Sequence, residues 1–394
     1  MEGRRASVRV LYDGVDISAD LKDYLISLSY ADNIDDQADD LQIDLADREQ
    51  NWQGPFFPMI REQSEDDEGG SGTTSPILPP TQGNEDIMNT GGNSLTGAQA
   101  GSRLTAFIDV KNWDDTETLE AFPCGVFEID QISLKGPPDT VTIKATSVPP
   151  TSSLRNQRNS RAWEEVRLSR VARDLASENG LELRFESADD PYFDRLDQLE
   201  MSDMEYLQGL CSDNGLSLKA TGTELVIFKQ SEYEADAPVM TIERGASDLV
   251  SYSFEQKSND IYSSAEVTYH DSKSGETLVG TFEDPDKSDS GFPTLIINER
   301  PASVDTGGSS GQDFSDITSS AQADKLAQES LRDKNKSENQ VTFTLLGCPK
   351  LCAGVTVMVR GWGKFDGKYF VASSKHDVSP DYITTITCHM ILEY

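Results

Sequence analysis

The stretch that most limits what this chain can become is its final segment, Asn339 to Tyr394. Four runs there alternate apolar and polar residues: Gln340–Leu346, Val355–Val359, Lys368–Ala372 and Tyr382–Leu392. A period of two, carried by β-branched and aromatic residues, predicts strands with one buried face. Gly347-Cys348-Pro349 and Ala353-Gly354 break the first connection. Asp366-Gly367 separates the second and third strands, where a tight hairpin needs residues that tolerate positive φ. The segment has four acidic and five basic residues in a chain of net charge -35. A near-neutral, strand-rich block in so acidic a protein is expected to be buried, in a core or against a partner.

The 394 residues suffice for two to four domains with real cores. No apolar run approaches the roughly 18 residues of a transmembrane helix, so no membrane-spanning segment is expected. The chain starts with Met1-Glu-Gly-Arg-Arg and runs into a strand, not an apolar signal segment. Assembly in the cytoplasm, or exit by a route without a signal peptide, is the expectation. Acids outnumber bases 69 to 34. That argues against broad nucleic-acid binding, which needs Lys and Arg to replace counterions. It favours solubility and fits a saline habitat. Five cysteines, Cys124, Cys211, Cys348, Cys352 and Cys388, are few and odd in number. They read as reduced core residues, not a disulfide framework.

Taken in order, Ser7–Tyr12, Tyr24–Tyr30 and Leu41–Leu45 read as strands, with Ala31–Asp40 as an acidic loop. From about Asn51 to Gly101 the periodicity stops, and acidic, Gly/Ser and Pro runs follow one another. Such a mixture buries too little to offset its ordering entropy. It reads as a flexible insertion (about 51–101), with Trp52, Phe56 and Phe57 at its root. Strands resume at Leu104–Val110, Gly125–Leu134 and Thr140–Thr146. Residues 1–150 therefore read as one β domain, closed by Pro149-Pro150.

Leu168, Val171, Ala172, Leu175 and Ala176 lie on one helical face, and Asn179-Gly180 offers a left-handed cap. Ser202-Asp-Met-Glu205 is a capping box, and its helix ends at Asn214-Gly215. The run Leu175–Leu183 repeats as Leu210–Leu218. Each copy is a helix, a Gly and a strand, and Glu224–Phe228 adds a hairpin partner. Residues 151–235 thus read as a small α/β module with a two-fold helix-strand repeat. Beyond it, Val239–Ile242, Leu249–Phe254, Ile261–His270 and Thr277–Phe282 read as strands. Glu283–Asp313 reads as irregular, and one helix is expected at about 317–334. Residues 236–394 form the second β domain, and the fold class is mainly β (α+β).

No catalytic, cofactor-binding or metal residues are expected. Gly307-Gly-Ser-Ser-Gly311 matches the nucleophile-elbow pattern G-x-S-x-G, but no apolar strand precedes it, as that motif requires. His270, His376 and His389 lie in or near strands and read as structural. His376 could meet Cys348 and Cys352 in space, yet C-x-x-x-C is not a zinc spacing. Glu283–Asp289 is acidic but lacks the Gly and terminal Glu of an EF-hand loop, and reads as a solvated loop. Asp190, Asp194, Asp197 and Glu200 are the acids a glycosidase reading would use; nothing in the sequence fixes their separation. Gly361-Trp-Gly363 reads as a hairpin end. A peptidoglycan-cleaving tail enzyme and a carbohydrate-binding β protein stand as alternatives.

Several stretches together resemble the phage late control protein D family. These are L-x-G-C-P-x-L-x-A-G-x-x-V from Leu345, G-x-G-x-F-D-G-x-Y-x-V from Gly361, and His376 with the Tyr382 strand. Upstream are Val8-x-Val10-x-Tyr12-Asp-Gly14, Cys124-Gly-Val-Phe-x-Ile-Asp130, Trp163 and Ser202-Asp-Met-x-Tyr-Leu207. The family comprises baseplate hub proteins of contractile tails, and the same fold forms the head of the type VI secretion spike protein. The resemblance implies a homotrimer with a central channel and two β-barrel-like domains per subunit related as pseudo-repeats. It implies a tail tube protein above and a spike protein below, in a virion or injection particle assembled in a bacterial or archaeal cytoplasm. On that likeness the near-neutral final strands fit a ring interface, and the acidic surplus falls on outer loops and the channel wall. The insertion at 51–101 is a candidate contact for other baseplate proteins. The sequence ends without a spike domain, so the spike is expected to be a separate polypeptide. No nucleic-acid sequence recognition is expected.

Overall fold

The computed structural model describes residues 4–34, 38–49, 102–113, 119–148, 153–270, 277–288, 290–299 and 320–394. The insertion at 51–101, with Trp52, Phe56 and Phe57, lies outside the described residues, as do Pro149-Pro150 and Gly307–Gly311. The side chain of His270 does too.

The N-terminal part comprises β1 (Arg5–Tyr12), β2 (Val15–Asp16), α1 (Ser18–Leu21), β3 (Leu25–Asn33) and β4 (Asp40–Ala46), then β5 (Arg103–Lys111), β6 (Leu119–Lys135) and β7 (Thr140–Thr146). The middle comprises α2 (Ser153–Asn156), β8 (Arg158–Arg167), α3 (Leu168–Glu178), β9 (Glu182–Glu186) and β10 (Tyr192–Ser202), then α4 (Asp203–Asp213), β11 (Ser217–Ala220), β12 (Glu224–Phe228) and α5 (Gln230–Ala235). The C-terminal part begins with β13 (Met240–Glu243), β14 (Leu249–Gln256), β15 (Ser264–His270), β16 (Thr277–Glu283) and β17 (Thr294–Glu299). It ends with α6 (Ser320–Asn335), β18 (Asn339–Leu346), β19 (Thr356–Arg360), β20 (Gly367–Val378) and β21 (Tyr382–Met390).

The fold is mainly β, and one 13-stranded sheet dominates it. Its order is β14-β18-β21-β20-β3-β4-β7-β6-β5-β1-β2, with β19 on β20 and β13 on β19. Alternation sets its two faces. In β4, Leu41, Ile43 and Leu45 point inward between half-buried Gln42 and Asp44. Each buried aliphatic side chain of this kind contributes roughly 1.5–3 kcal/mol.

The sheet is two copies of one design. β3, β4, β7 and β6 form a four-strand wall; β14, β18, β21 and β20 form another, with the same chain order. The registers correspond residue by residue. Leu28 faces Ile43, Ile43 faces Ile143, and Ile143 faces Ile132. In the second wall the same row reads Tyr252, Phe343, Ile386, Ser374. Register shifts match as well: Leu25/Ser27 with Leu249/Ser251, and Ile129/Gln131 with Val371/Ser373. A bulge bends its strand at a defined residue, so matched bulges give the two walls matched bends. The copies differ in the strands that fold back. β1 pairs antiparallel with β5, whereas β13 pairs parallel with β19.

One strand joins the copies. The first part of β20, Gly367–Phe370, pairs with β19; its last part, Ser373–Val378, pairs with β3. Tyr369 and Val371 belong to the C-terminal core, while Val378 and Tyr382 belong to the N-terminal one.

In the middle module α3 and α4 pack on β9, β11 and β12 around a separate core. Both helices end alike. Gly180 and Gly215 take φ +70 and +68, a region cheap only for Gly. Asn179 and Asn214 cap the carbonyls of Leu175 and Leu210 at 2.9 and 2.8 Å. The Glu205 amide donates to Ser202 Oγ at 3.2 Å, which is half of the expected capping box. The ribbon β8–β10 is absent from the sequence reading.

A three-stranded sheet, β16-β15-β17, stands apart from the large one. Ala323, Ala327 and Leu331 of α6 cover it. A Cβ at Gly280 would sit 2.1 Å from the Ala323 carbonyl carbon, so only Gly admits this approach. Two expectations are corrected here. Glu283–Asp313 is not wholly irregular, because Thr294–Glu299 is a strand parallel to β15. Glu283–Asp289 is not simply solvated, because Asp284 is fully buried. Lys287 Nζ lies 3.0 Å from its carboxylate, and Asn335 Nδ2 donates to it at 3.0 Å.

Candidate functional site

The open face of the two walls is a candidate working surface. Directly opposed residues share a face, so the polar alternates line up strand by strand. Ser253 faces Thr342, which faces Thr387, which faces Ser373. Lys375 faces Thr385 on one side and Ala31 on the other. Asp377 faces Ser29, and Ser29 faces Gln42. Gln42 faces Lys144, which faces Gln131. Three rows of this face reach the junction between the copies, where Ser373 faces Asn33, Lys375 faces Ala31 and Asp377 faces Ser29.

This face is rich in Thr and Ser. Its carboxylates, Asp40, Asp44, Glu128, Asp377 and Glu255, outnumber Lys135, Lys144 and Lys375 by two. Most of the acidic surplus of the chain lies elsewhere. Burial pushes Asp44 up, but hydrogen bonds from Thr142, Gln42 and Ser27 (2.6, 3.0 and 3.0 Å) hold it below the usual carboxylate range. Lys375 Nζ lies 2.9 Å from Asp377.

Behind the face, the junction is fixed by His376. It is fully buried against Tyr30, Phe122 and Tyr382. Its Nε2 lies 3.1 Å from the Leu351 carbonyl, which can only accept, so Nε2 carries the hydrogen. Nδ1 then accepts from Tyr382 OH at 2.8 Å. Burial pushes the imidazole down to about 4, so it is neutral near pH 7. Trp113 Nε1 donates to the Gly347 carbonyl at 2.6 Å, a second tie across the copies.

The middle module is held to this junction by a buried cluster. Lys219 of β11 pairs with Asp32 of β3 and lies 3.3 Å from Asp39. Asp32 also accepts the Ala353 amide at 2.8 Å, so one carboxylate binds three parts of the chain. Burial pushes Asp39 up to about 6, against the pull of Lys219. A second cluster places Glu234 of α5 beside Arg332 of α6 and His389 of β21. Burial pushes Glu234 up, but His389, Arg332 and Gln230 hold it below its ordinary value.

The sequence-predicted candidates are not brought together. Asp190 accepts the Ser169 amide at 2.9 Å, next to the start of α3. Asp197 pairs with Arg195 at 2.8 Å. His376 bonds Leu351 and Tyr382, and none of the five cysteines is in a disulfide. Among the described residues no three His, Cys, Asp or Glu side chains are grouped to hold a metal ion. No described helix is long and apolar enough to cross a membrane. The buried clusters went unseen in the sequence, where Asp32, Asp39 and Glu234 are three acids among 69.

A family model described as phage tail baseplate hub (GPD) matches residues 124–382. A probable baseplate hub protein of Escherichia phage P2 is 25% identical over 225 residues, covering 57% of this chain. The match takes in 45% of the phage protein, so the chain spans under half the length of that relative. Among solved structures, the 43 kDa tail protein of prophage MuSo2 from Shewanella oneidensis matches with TM-score 0.64 at 12% identity, over 98% of both chains. A tail protein from Neisseria meningitidis MC58 matches with TM-score 0.64 at 11% identity, over 98% and 96% of the two chains. An Escherichia coli component of the type VI secretion system, described as similar in structure to T4 bacteriophage tail proteins, gives TM-score 0.50 at 10% identity, over 99% and 77%. At these identities the structural likeness speaks for the fold.

Proposed function

The chain belongs to the phage tail baseplate hub (GPD) family, and from that premise we propose that it is a trimeric ring joining a hexameric tail tube to a central spike. The observation that carries this reading is the duplicated wall. Two matched walls in one subunit give six in a trimer, which fits a six-fold tube on one side and a three-fold partner on the other. The Thr- and Ser-rich face suits a channel lining that a passing chain or spike does not bind tightly. In this reading 1–150 and 236–394 are the two ring domains and 151–235 is the peripheral module. The role is structural, in a virion or injection particle assembled in the cytoplasm. The relatives matched in sequence are hub proteins, and two of the four carboxylates an enzyme reading would use, Asp190 and Asp197, have structural partners. The test is the mass of the purified chain by light scattering at moderate and high salt. A trimer of the 43.3 kDa chain supports the ring. A monomer at every concentration and salt overturns it.

A further inference from the structure

The sheet β16-β15-β17 and α6 form a lobe inserted between two neighbouring strands of the second wall. β14 ends at Gln256 and β18 begins at Asn339, and these two residues face each other. The chain therefore leaves the wall and re-enters it at one place, where the Lys257 amide donates to the Glu338 carbonyl at 2.8 Å. The lobe has its own apolar core, built on Ala265, Val267, Ala323, Ala327 and Leu331. The middle module has a separate one. Two linkers side by side, with no core shared among the described residues, are the anatomy of a hinge.

α6 has two working faces. Ala323, Ala327 and Leu331 turn to the lobe's own sheet. Lys325, Glu329 and Arg332 lie at i, i+4 and i+7 on another face, and all three pair with the middle module. Lys325 Nζ lies 3.1 Å from Asp189, Glu329 lies 3.6 Å from Lys229 Nζ, and Arg332 pairs with Glu234. These pairs grow wetter with distance from the linkers. The side chains of Arg332 and Glu234 are 12% and 3% exposed, those of Glu329 and Lys229 19% and 20%, and those of Lys325 and Asp189 40% and 42%. Between lobe and module lies a cleft of about 320 Å³, with Gly215, Leu218 and Gln230 on one side and Leu295, Ile297 and Ser330 on the other. A polar cleft of that size admits water. A Cβ at Gly215 would sit 2.6 Å from Glu329 Cγ, so the closed lobe touches the module at this turn. At the linker end Arg332 also donates to the Leu392 and Tyr394 carbonyls, and the Tyr394 ring packs on Phe282 at 5.3 Å. One end of α6 is pinned and sealed, and the other is held by charge in water.

We propose that the lobe swings as one body on the Lys257 and Glu338 linkers, pivoting about Arg332 and Glu234, and that Lys325–Asp189 and Glu329–Lys229 form a latch that competing charge opens. Screening acts over about 10 Å at 0.1 M salt and about 3 Å at 1 M, and it acts most on pairs in contact with water. The two outer pairs therefore weaken first, and Arg332–Glu234 weakens least. Opening leaves both walls as they are, because the lobe hangs from the ends of β14 and β18 and gives no strand to the large sheet. It uncovers the cleft, with Leu218 and Ile297 in its two sides. The swing is a change of shape within one chain and is independent of the ring reading.

A full-length double variant tests this, Ser231→Cys of α5 with Gln328→Cys of α6, two positions that flank the latch from module and lobe. A short bis-maleimide is added, and the bridge between the two sites is followed by peptide mass mapping, which reads it apart from the native thiols. The bridge should form readily at low salt and several-fold more slowly at about 1 M, while N-ethylmaleimide reaches each thiol no more slowly. Adding Lys325→Ala and Glu329→Ala should slow the bridge at low salt and remove its dependence on salt. Hydrogen exchange in β14, β18 and β21 should not change with salt. A bridge that forms equally fast at both salts overturns the latch, as does one that never forms. A slower bridge accompanied by faster exchange in β18 and β21 overturns the swing, because the wall itself would then be unfolding.

Discussion

Leu134 and His376 hold the same position in the two walls and live in opposite surroundings. His376 is sealed beneath β3 and bonded to Leu351 and Tyr382. Leu134 is half exposed on a strand that has lost its outer neighbour. The same pattern of pairing produces a buried polar hub in one copy and a bare apolar edge in the other. What differs is the neighbouring strand, not the wall. The comparison teaches that burial at these positions is conferred from outside the wall. Each copy supplies the bulge and alternation, and a third element decides whether the position is core or surface.

The sharpest break comes from Asp32, whose counterpart in the second wall is Gln256. Asp32→Ala leaves Lys219 buried with Asp39 alone and frees the Ala353 amide. The loss should be about 3–5 kcal/mol in urea unfolding, as for other broken buried pairs. Gln256→Ala should stay within about 0.5 kcal/mol. Equal losses at the two sites would mean that the cluster is not what anchors the module.

A smaller contrast is expected between His376→Ala and Leu134→Ala. The first opens a cavity and takes the imidazole away from the Tyr382 hydroxyl, while Ser374 Oγ still donates to the Leu351 carbonyl, costing roughly 2–4 kcal/mol. The second, measured in dilute protomer, should cost under about 0.5 kcal/mol. If Leu134→Ala also proves costly in the protomer, the edge is not free.

Asp39 gives a pH signature that no counterpart in the second wall should share. Its folded value near 6 lies above the ordinary 3.8. Between those values the folded chain holds a proton that the unfolded chain has released. Stability therefore falls as pH rises across that window and is level above it, by roughly 2–3 kcal/mol in all. Asp39→Asn should flatten the window and unfold at higher urea than the unaltered chain at pH 8. A variant that keeps the slope would place the titrating group elsewhere.

The smallest effect is expected on the open face, where the two walls agree. Lys375→Ala breaks an exposed pair with Asp377, and Ser133→Ala alters its counterpart. Both should move stability by no more than about 0.5 kcal/mol. A large effect at either would show that the face packs against something within the protomer.

The walls were legible because half-buried strands alternate, and Thr140–Thr146 and Glu224–Phe228 were read to the residue. β8 and β10 were not, because Arg158–Arg167 turns little more than Trp163 and Val166 inward and half of its residues are charged. The strand Thr294–Glu299 was hidden by its Gly-, Pro- and Asp-rich flanks. The duplication was expected from the family resemblance and not from spacing. Leu25-Ile-Ser-Leu-Ser-Tyr30 and Leu249-Val-Ser-Tyr-Ser-Phe254 are alike, but the segments after their first wall strands differ. One wall has residues 51–101 between its second strand and its fold-back, and the other has the α6 lobe between its first and second. No constant spacing survives such insertions. The buried charges left no mark, because a carboxylate among so many acids shows its role only once its neighbours in space are known.

β20 also determines how the protomer would resist force. Its six residue pairs with β3 lie side by side and antiparallel. A pull along the strand axes loads all of those pairs in shear, so they must give way together. A pull across the sheet peels them open one at a time. The chain is therefore stiff in one direction and compliant in the perpendicular one, and the orientation of this strand decides which load the molecule can carry.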